Sequence, residues 1–82
     1  MNLYPIDAAY KCDFKFIVTF NNNEIKEIDI RNLGKIDKRY EEYESFKVLQ
    51  DENFVKHMKI EGPTLSHKNI DIAPEILYQL AI

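Results

Sequence analysis

The sequence predicts a small α+β domain, in which a three-stranded antiparallel meander and a second short β-hairpin are combined with two or three short helices. Residues 14–30 place β-forming segments on both sides of an asparagine-rich turn, which is typical of a hairpin. Residues 51–58 and 74–80 carry helix start signals ahead of apolar residues at helical spacing. The predicted order is β-β-β-(α)-α-β-β-α, and residues 1–82 are expected to form a single domain.

The first clear strand of this predicted hairpin runs from Phe14 to Phe20. Its side chains alternate between two faces with the period of two that characterises a β-strand. One face carries Phe14, Phe16, Val18 and Phe20, and the other carries Lys15, Ile17 and Thr19. Three aromatic rings on one face need a cover. The best candidate is the apolar stripe of the last helix, formed by Ile76, Leu77 and Leu80.

The length of the hairpin loop decides which residues of the two strands face each other. If only the last two asparagines formed the loop, Ile28 would lie opposite Ile17, away from the phenylalanine face. A three-residue loop, Asn21–Asn23, places Phe16 opposite Ile28 instead. We expect this longer loop, because it collects the large apolar groups on one side and puts Asn23 in a left-handed conformation, which asparagine tolerates well.

Residues Tyr4–Lys11 are predicted to add a strand before the hairpin and so complete the meander. Pro5 suits the start of a strand, where a missing N–H matters least. This strand carries little charge, so we expect it to be an edge to which a partner strand adds, with Ile6, Ala8 and Tyr10 as partner-binding residues. The alternative is a monomer whose edge is blunted by its proline and charged residues.

Two short helices are predicted after the meander. Leu33 and Gly34 are typical of a stop, and tyrosines then recur at helical spacing from about Asp37 to Glu44. Basic residues precede acidic ones in that segment, an order that opposes the helix dipole. This helix is therefore the one given in parentheses in the predicted order, and we call it the optional helix. Its tyrosines are expected to pack half-buried, the alternative being a partner-binding face. The next helix is better marked, because Asp51 can cap its N-terminus.

The second hairpin is predicted to be short. Ile60 lies in its first strand, a Gly-Pro pair breaks that strand, and Thr64–Ser66 return as its partner. After a turn at residues 67–69, the chain ends in a helix of about two turns with Pro74 at its first position. Such a short helix holds its shape only when its apolar stripe is packed.

Size and charge favour binding over catalysis. An 82-residue domain has little room for a deep cleft beside a full core. The net charge of −3, from 11 basic and 14 acidic residues, argues against a broad DNA-binding face. The single cysteine excludes an internal disulfide. Neither a secretory leader nor an apolar run of membrane-spanning length is evident, so we expect a cytoplasmic protein without membrane contact.

We expect no catalytic, cofactor or metal site. Ser66 and His67 are adjacent, so on a strand they would point to opposite faces and could not act together as nucleophile and base. Cys12 would meet His57 or His67 only by chance of folding, and one thiol with two histidines falls short of a structural zinc site. With two glycines in total, the chain has no phosphate-binding loop.

Four segments of the chain together form a longer pattern. They are VTFNNNE at 18–24, IDI at 28–30, FKVLQDENFVKHMKI at 46–60 and DIAPEILY at 71–78. This pattern resembles the small bacterial domain-of-unknown-function family twenty-four forty-two, whose members read TF-x-N-(G/N)-E and later D-(I/L)-A-P-E-x-L-Y. The chain departs from the family at Asn23, where glycine is usual, and at residues 66–69, where the family has Trp-Pro-Asn-Gly.

The resemblance implies a non-catalytic protein-protein interaction module, in the role of the antitoxin-like member of a two-protein bacterial system. Members are often encoded beside another small protein. A DNA-binding role is implied for those members that carry an added helix-turn-helix. We therefore expect the partner to be another small protein or a second copy of the chain. The alternative is a nucleic-acid-binding transcriptional regulator that uses Lys11, Lys15, Lys26 and Arg31 beside the sheet.

Overall fold

Two three-stranded antiparallel sheets form the framework of the computed structural model, which describes residues 2–81. The first sheet has the order β1 (Pro5–Cys12), β2 (Lys15–Phe20) and β3 (Ile25–Asp29). The second has the order β4 (Lys59–Glu61), β5 (Thr64–His67) and β6 (Ile70–Ile72). The predicted α+β class and the meander are confirmed. The second hairpin, however, is extended by a third strand.

Short helices connect and cover these sheets. Within residues 2–81 the α-helices are α1 (Leu33–Ile36), α2 (Arg39–Glu42), α3 (Glu52–Val55) and α4 (Pro74–Leu80). Two 3-10 segments are Ile30–Asn32 and Glu44–Gln50. The stop predicted at Leu33 and Gly34 is wrong, because both residues lie in α1. The optional helix is shorter than predicted, because the backbone is extended at Tyr43.

The predicted register of the β2–β3 hairpin is confirmed. Phe16 lies opposite Ile28, and both side chains are buried. Asn23 has a φ of 70°, and its N–H donates to the carbonyl of Phe20 at 2.9 Å. The loop therefore contains three residues and ends in a left-handed one, because only this length places the large apolar groups of both strands on the core face.

The β1–β2 connection corrects the assignment of Phe14 to a strand. The loop consists of Asp13 and Phe14 alone, with φ angles of 54° and 66°. Positive φ at both loop residues is characteristic of a type I′ turn, which favours asparagine and glycine. For another residue this conformation costs about 1–2 kcal/mol. Hydrogen bonds offset the cost: the Phe14 N–H donates to the Tyr10 hydroxyl at 3.0 Å, and the Asp13 N–H donates to Glu52 at 3.2 Å.

Strand β6 corrects the expectation that the chain passes from the turn at residues 67–69 directly into the last helix. Ile70 and Ile72 are buried while Asp71 is exposed, which is the alternation of a strand with one covered face. Lys68 has a φ of 55° in the turn before β6. Three residues are too few to show a period of two, so the sequence did not distinguish a strand here from a loop that leads into the helix.

One hydrophobic core joins the two sheets to α1, α3 and α4. The phenylalanine face of β2 is buried in it, and α4 helps to cover that face as predicted. Leu77 and Leu80 of α4 are buried, and the ring of Tyr78 lies edge-on to Phe20 with centroids 5.1 Å apart. Within residues 2–81, none of the helices has the length and apolar character needed to cross a bilayer.

Candidate functional site

The three predicted partner-binding residues lie on β1 in different settings. Ala8 and Tyr10 are opposite Val18 and Phe16, and both are half-buried against the core. Ile6 lies at an irregularity in the pairing of β1 with β2, and its side chain is 52% exposed. Of the three, Ile6 alone presents a largely exposed side chain to a partner.

The side chain of Tyr10 is already engaged within the protein. Its hydroxyl donates to the Glu52 carboxylate and accepts from the Phe14 N–H, and its ring lies edge-on to Phe16 at 5.1 Å. Desolvation of the hydroxyl and the hydrogen bond to Glu52 raise the pKa of Tyr10. A partner strand beside β1 would therefore bind to backbone groups rather than to this side chain.

The space beside β1 is shared with β4. Cα atoms of the two strands approach within 8 Å, although no ladder of hydrogen bonds joins the strands among residues 2–81. Two strands separated by a third lie about 9.6 Å apart. A partner strand would have to displace β4 wherever β4 lies along the open edge of β1. Strand addition along β1 stays a prediction.

A groove of about 450 Å³ opens elsewhere on the surface, between the β1–β2 turn and residues 30–50. Its floor is apolar and buried, its walls are largely aromatic, and a few polar groups stand at its rim, which is the usual composition of a ligand or side-chain pocket. We call it the aromatic groove. It is lined by Phe14, Ile30, Arg31, Leu33, Gly34, Tyr40, Glu41, Phe46, Leu49 and Gln50.

The strained turn at Phe14 places an aromatic ring in this groove. The guanidinium carbon of Arg31 lies 5.5 Å from the centroid of the Phe14 ring, within the range of a cation–π contact. Strained backbone conformations persist where the surroundings hold them, and they cluster at functional sites. The positive φ of Phe14 is therefore compatible with a role for the groove.

Arg31 is held by two carboxylates. It donates to Asp29 at 3.0 Å and 2.8 Å in a two-pronged contact, and to Asp13 at 3.3 Å. Asp29 also accepts from the Arg31 N–H and so caps the first 3-10 segment. The hydrogen bonds to Arg31 lower the pKa of Asp29, and the pKa of Arg31 is raised in turn. The positive charge of Arg31 is therefore largely neutralised within the protein.

Three neighbouring aromatic rings, Tyr40, Tyr43 and Phe46, form a cluster that we call the aromatic wall. Tyr40 and Phe46 line the groove, whereas Tyr43 lines the hollow next to it. The centroids of Tyr40 and Phe46 are 4.6 Å apart, and Tyr43 is nearly parallel to Phe46 at 6.2 Å. Tyr40 is half-buried, as expected, and desolvation raises its pKa. Tyr43 is 52% exposed, so the half-buried packing predicted for the tyrosines is wrong for this residue, and the alternative of a partner-binding face stays a prediction. A second hollow of about 310 Å³ lies beside the wall and includes Asp71.

The carboxylate of Glu41 lies across Gly34 at the rim of the groove. A Cβ atom at Gly34 would overlap with Cγ of Glu41, so this position of the Glu41 side chain requires glycine at residue 34. Arg39 beside it is neutralised, because its Nε donates to Asp37 at 3.0 Å. In the part of the chain that the structure describes, Glu41 and Asp71 form no ion pair. Of the charged residues within 2–81 that line the two hollows, those without an ion pair are therefore the carboxylates Glu41 and Asp71.

Of the residues weighed for catalysis, His57 and His67 lie together, with their rings stacked and the centroids 5.8 Å apart. Ser66 is buried and donates to Glu61 at 3.1 Å, while the ring of His67 packs edge-on to Phe54. The Nδ1 of His57 lies 2.7 Å from the carbonyl of Asn53 and must carry the proton, because a carbonyl only accepts. Among residues 2–81, no three metal-ligating side chains are close enough to hold an ion.

The four cations of the nucleic-acid alternative do not form one basic surface. Lys11 forms an ion pair with Glu27 at 2.7 Å on the outer face of the first sheet. Lys26 is opposite Val18 on the other face and pairs with Glu24 at 3.6 Å. These ion pairs, with those of Arg31, reduce the positive charge available to phosphate groups.

The residues that carry the family resemblance meet in space. Glu24 accepts hydrogen bonds from the hydroxyl of Tyr78 at 2.7 Å and from the side chain of Asn22. Sequence reasoning recognised this motif but did not recognise the aromatic groove.

Comparison with known proteins gave no match to a family model, a curated protein or a solved structure. The family assignment stays a prediction, and the proposed function rests on the geometry of the surface.

Proposed function

We propose that the protein is a non-catalytic interaction module that binds another protein through the aromatic groove. The observation that carries this proposal is the aromatic wall: Tyr40 and Phe46 line the groove beside its buried apolar floor, and the exposed ring of Tyr43 stacks on Phe46. Exposed aromatic side chains beside an apolar pocket are the usual anchors of protein interfaces. The partner suggested by the family resemblance is the second member of a two-protein bacterial system, in which this chain would have the antitoxin-like role.

Two features favour a protein partner over a nucleic acid. The groove offers apolar and aromatic area, whereas its arginine is already held by Asp29 and Asp13. Nucleic-acid binding draws most of its affinity from cations that are free to contact phosphate. Catalysis has weaker support, because the residues weighed for it pack against other partners.

Co-expression of the full-length chain with the product of the gene next to its own, followed by native mass spectrometry, tests the proposal. We expect a complex of defined stoichiometry that survives high salt. A complex between two copies of the chain, without the neighbouring gene product, would still support an interaction module. A chain that remains monomeric, and that retards DNA or RNA only at low salt, would favour the transcriptional regulator instead.

A further inference from the structure

We infer that the aromatic groove recognises a segment in which a lysine or arginine lies next to an apolar side chain. This inference rests on the proposed function and names the chemistry of the partner. The groove has two parts that call for different groups: a buried apolar floor, and a rim whose unpaired charge is negative.

The floor fits an apolar side chain. Ile30, Leu33 and Leu49 are each less than 10% exposed and line the groove from below, while Phe14 forms one side. A volume of about 450 Å³ accommodates a leucine- or phenylalanine-sized group. Burial of such a group would supply most of the affinity, at roughly 25 cal/mol per Å² of apolar area removed from water.

The rim fits a cation. Both arginines near the groove are neutralised, Arg31 by Asp29 and Asp13 and Arg39 by Asp37. The carboxylate of Glu41, held against Gly34, forms no ion pair among residues 2–81. An acidic partner group would meet arginines that already have partners and a carboxylate that repels it. A basic group would meet an unpaired carboxylate.

The aromatic wall adds to this preference. Ring faces attract a lysine or arginine side chain placed above them. Tyr43 is 52% exposed and stacks on Phe46, so it offers a ring face in the hollow next to the groove. Asp71, exposed and unpaired in residues 2–81, lies in the hollow beside the same wall. A cation above the Tyr43 ring would therefore contact a π-face, and each of the two hollows contributes one carboxylate without an ion pair in the described part of the chain.

A nuclear magnetic resonance titration of the isotope-labelled full-length chain tests the inference with two capped dipeptides. The probes are acetyl-leucyl-arginine amide and acetyl-leucyl-citrulline amide, which have nearly the same shape and differ in charge. We expect both to shift the resonances of groove residues, and the arginine peptide to bind about three- to tenfold more tightly. Equal affinity, or no shift in the groove with either peptide, would overturn the inference.

Two variants assign the preference to one carboxylate. Glu41→Gln keeps the shape of the side chain over Gly34 and should weaken the arginine peptide about two- to fivefold, with no effect on the citrulline peptide. Glu42→Gln is the matched control, because Glu42 is also exposed but does not line the groove. An equal loss of affinity for the arginine peptide in both variants would mean that the overall negative charge of the protein, and not Glu41 itself, attracts the cation. That result would contradict the assignment.

The proposed function and this inference fail differently. If the co-expressed complex depends on the groove but the peptides do not discriminate charge, the inference is wrong and the interaction module stands. If the peptides behave as expected but no protein complex forms, the groove chemistry stands and the proposed function is wrong.

Discussion

The hydroxyl of Tyr78 donates a hydrogen bond to the carboxylate of Glu24 at 2.7 Å, across 54 positions of sequence. The bond ties α4 to the β2–β3 hairpin. Lys26 reinforces the contact, since it pairs with Glu24 and lies over the Tyr78 ring at 5.7 Å. The ends of the family-like motif are therefore joined by a contact that stabilises the fold, rather than by shared chemistry at a binding site.

This contact predicts an acid-dependent loss of stability. Hydrogen bonds from Tyr78 and Asn22, together with Lys26, lower the pKa of Glu24. Its carboxylate therefore stabilises the fold fully above the ordinary glutamate value of 4.5, and this stabilisation is lost as pH falls through the lowered pKa. Urea unfolding should show that Glu24→Gln is less stable than the wild type at neutral pH, and that the difference shrinks on acidification.

The control for this prediction is Glu42→Gln, an exposed change without an ion pair among residues 2–81. It should follow the wild type at every pH. A difference between wild type and Glu24→Gln that stays constant from neutral pH to pH 3 would show that the lowered pKa does not contribute.

Two isoleucines of β3 provide a test of the sheet faces. Ile28 is 1% exposed and Ile25 is 68% exposed, although they are three residues apart. Ile28→Ala should lower the free energy of unfolding by about 2–5 kcal/mol, because it leaves a cavity in the core. Ile25→Ala should change it by less than about 0.5 kcal/mol. Equal losses in chemical denaturation would contradict the register of the hairpin.

The left-handed backbone at Phe14 predicts an unusual order of substitutions. Phe14→Gly and Phe14→Ala both remove the ring, but glycine accepts the φ of 66° without strain. The glycine variant should therefore be more stable than the alanine variant by about 1 kcal/mol, measured by thermal or urea unfolding. Alanine equal to or better than glycine would mean that the turn changes its conformation.

The hairpin register was predictable because the large apolar residues of two adjacent segments can be collected on one face by a single loop length. The loop of three asparagines also offered the left-handed position at Asn23. Phe14 was assigned wrongly because a phenylalanine carries no sequence signal for a positive φ. Strand β6 escaped prediction because its three residues become a strand only through pairing with Leu65, Ser66 and His67 of β5.

The aromatic groove could not be predicted from the sequence. Phe14 and Phe46 are 32 positions apart, and only the packing of residues 30–50 against the β1–β2 turn brings them to one groove. The tyrosine spacing around residues 40–43 was a partial signal for the groove, because a partner-binding face was one of the two interpretations of that spacing. Ion pairs such as Arg31–Asp29 form after folding, so the charge left unpaired at the rim is not visible in the sequence.

Strand addition along β1 can be separated from binding at the groove with two proline variants. Neighbouring residues of an antiparallel strand direct their N–H groups to opposite edges. Of Ala8→Pro and Ala9→Pro, one should disrupt the β1–β2 ladder, and the other should remove only an outward donor. If the groove is the binding surface, the variant that stays folded by circular dichroism keeps its partner. Loss of the complex in that folded variant would favour the edge.

The most direct test of the aromatic groove as the protein-binding surface is the Kd for the co-expressed partner, measured by isothermal titration calorimetry. Tyr43→Ser removes the exposed ring that stacks on Phe46 of the groove, whereas Ile25→Ser removes an exposed apolar side chain from β3 that has no aromatic contact with a groove residue. We predict that Tyr43→Ser weakens binding by about tenfold or more, while Ile25→Ser leaves the Kd unchanged. An unchanged Kd for Tyr43→Ser, with a loss confined to Ile25→Ser, would contradict the account.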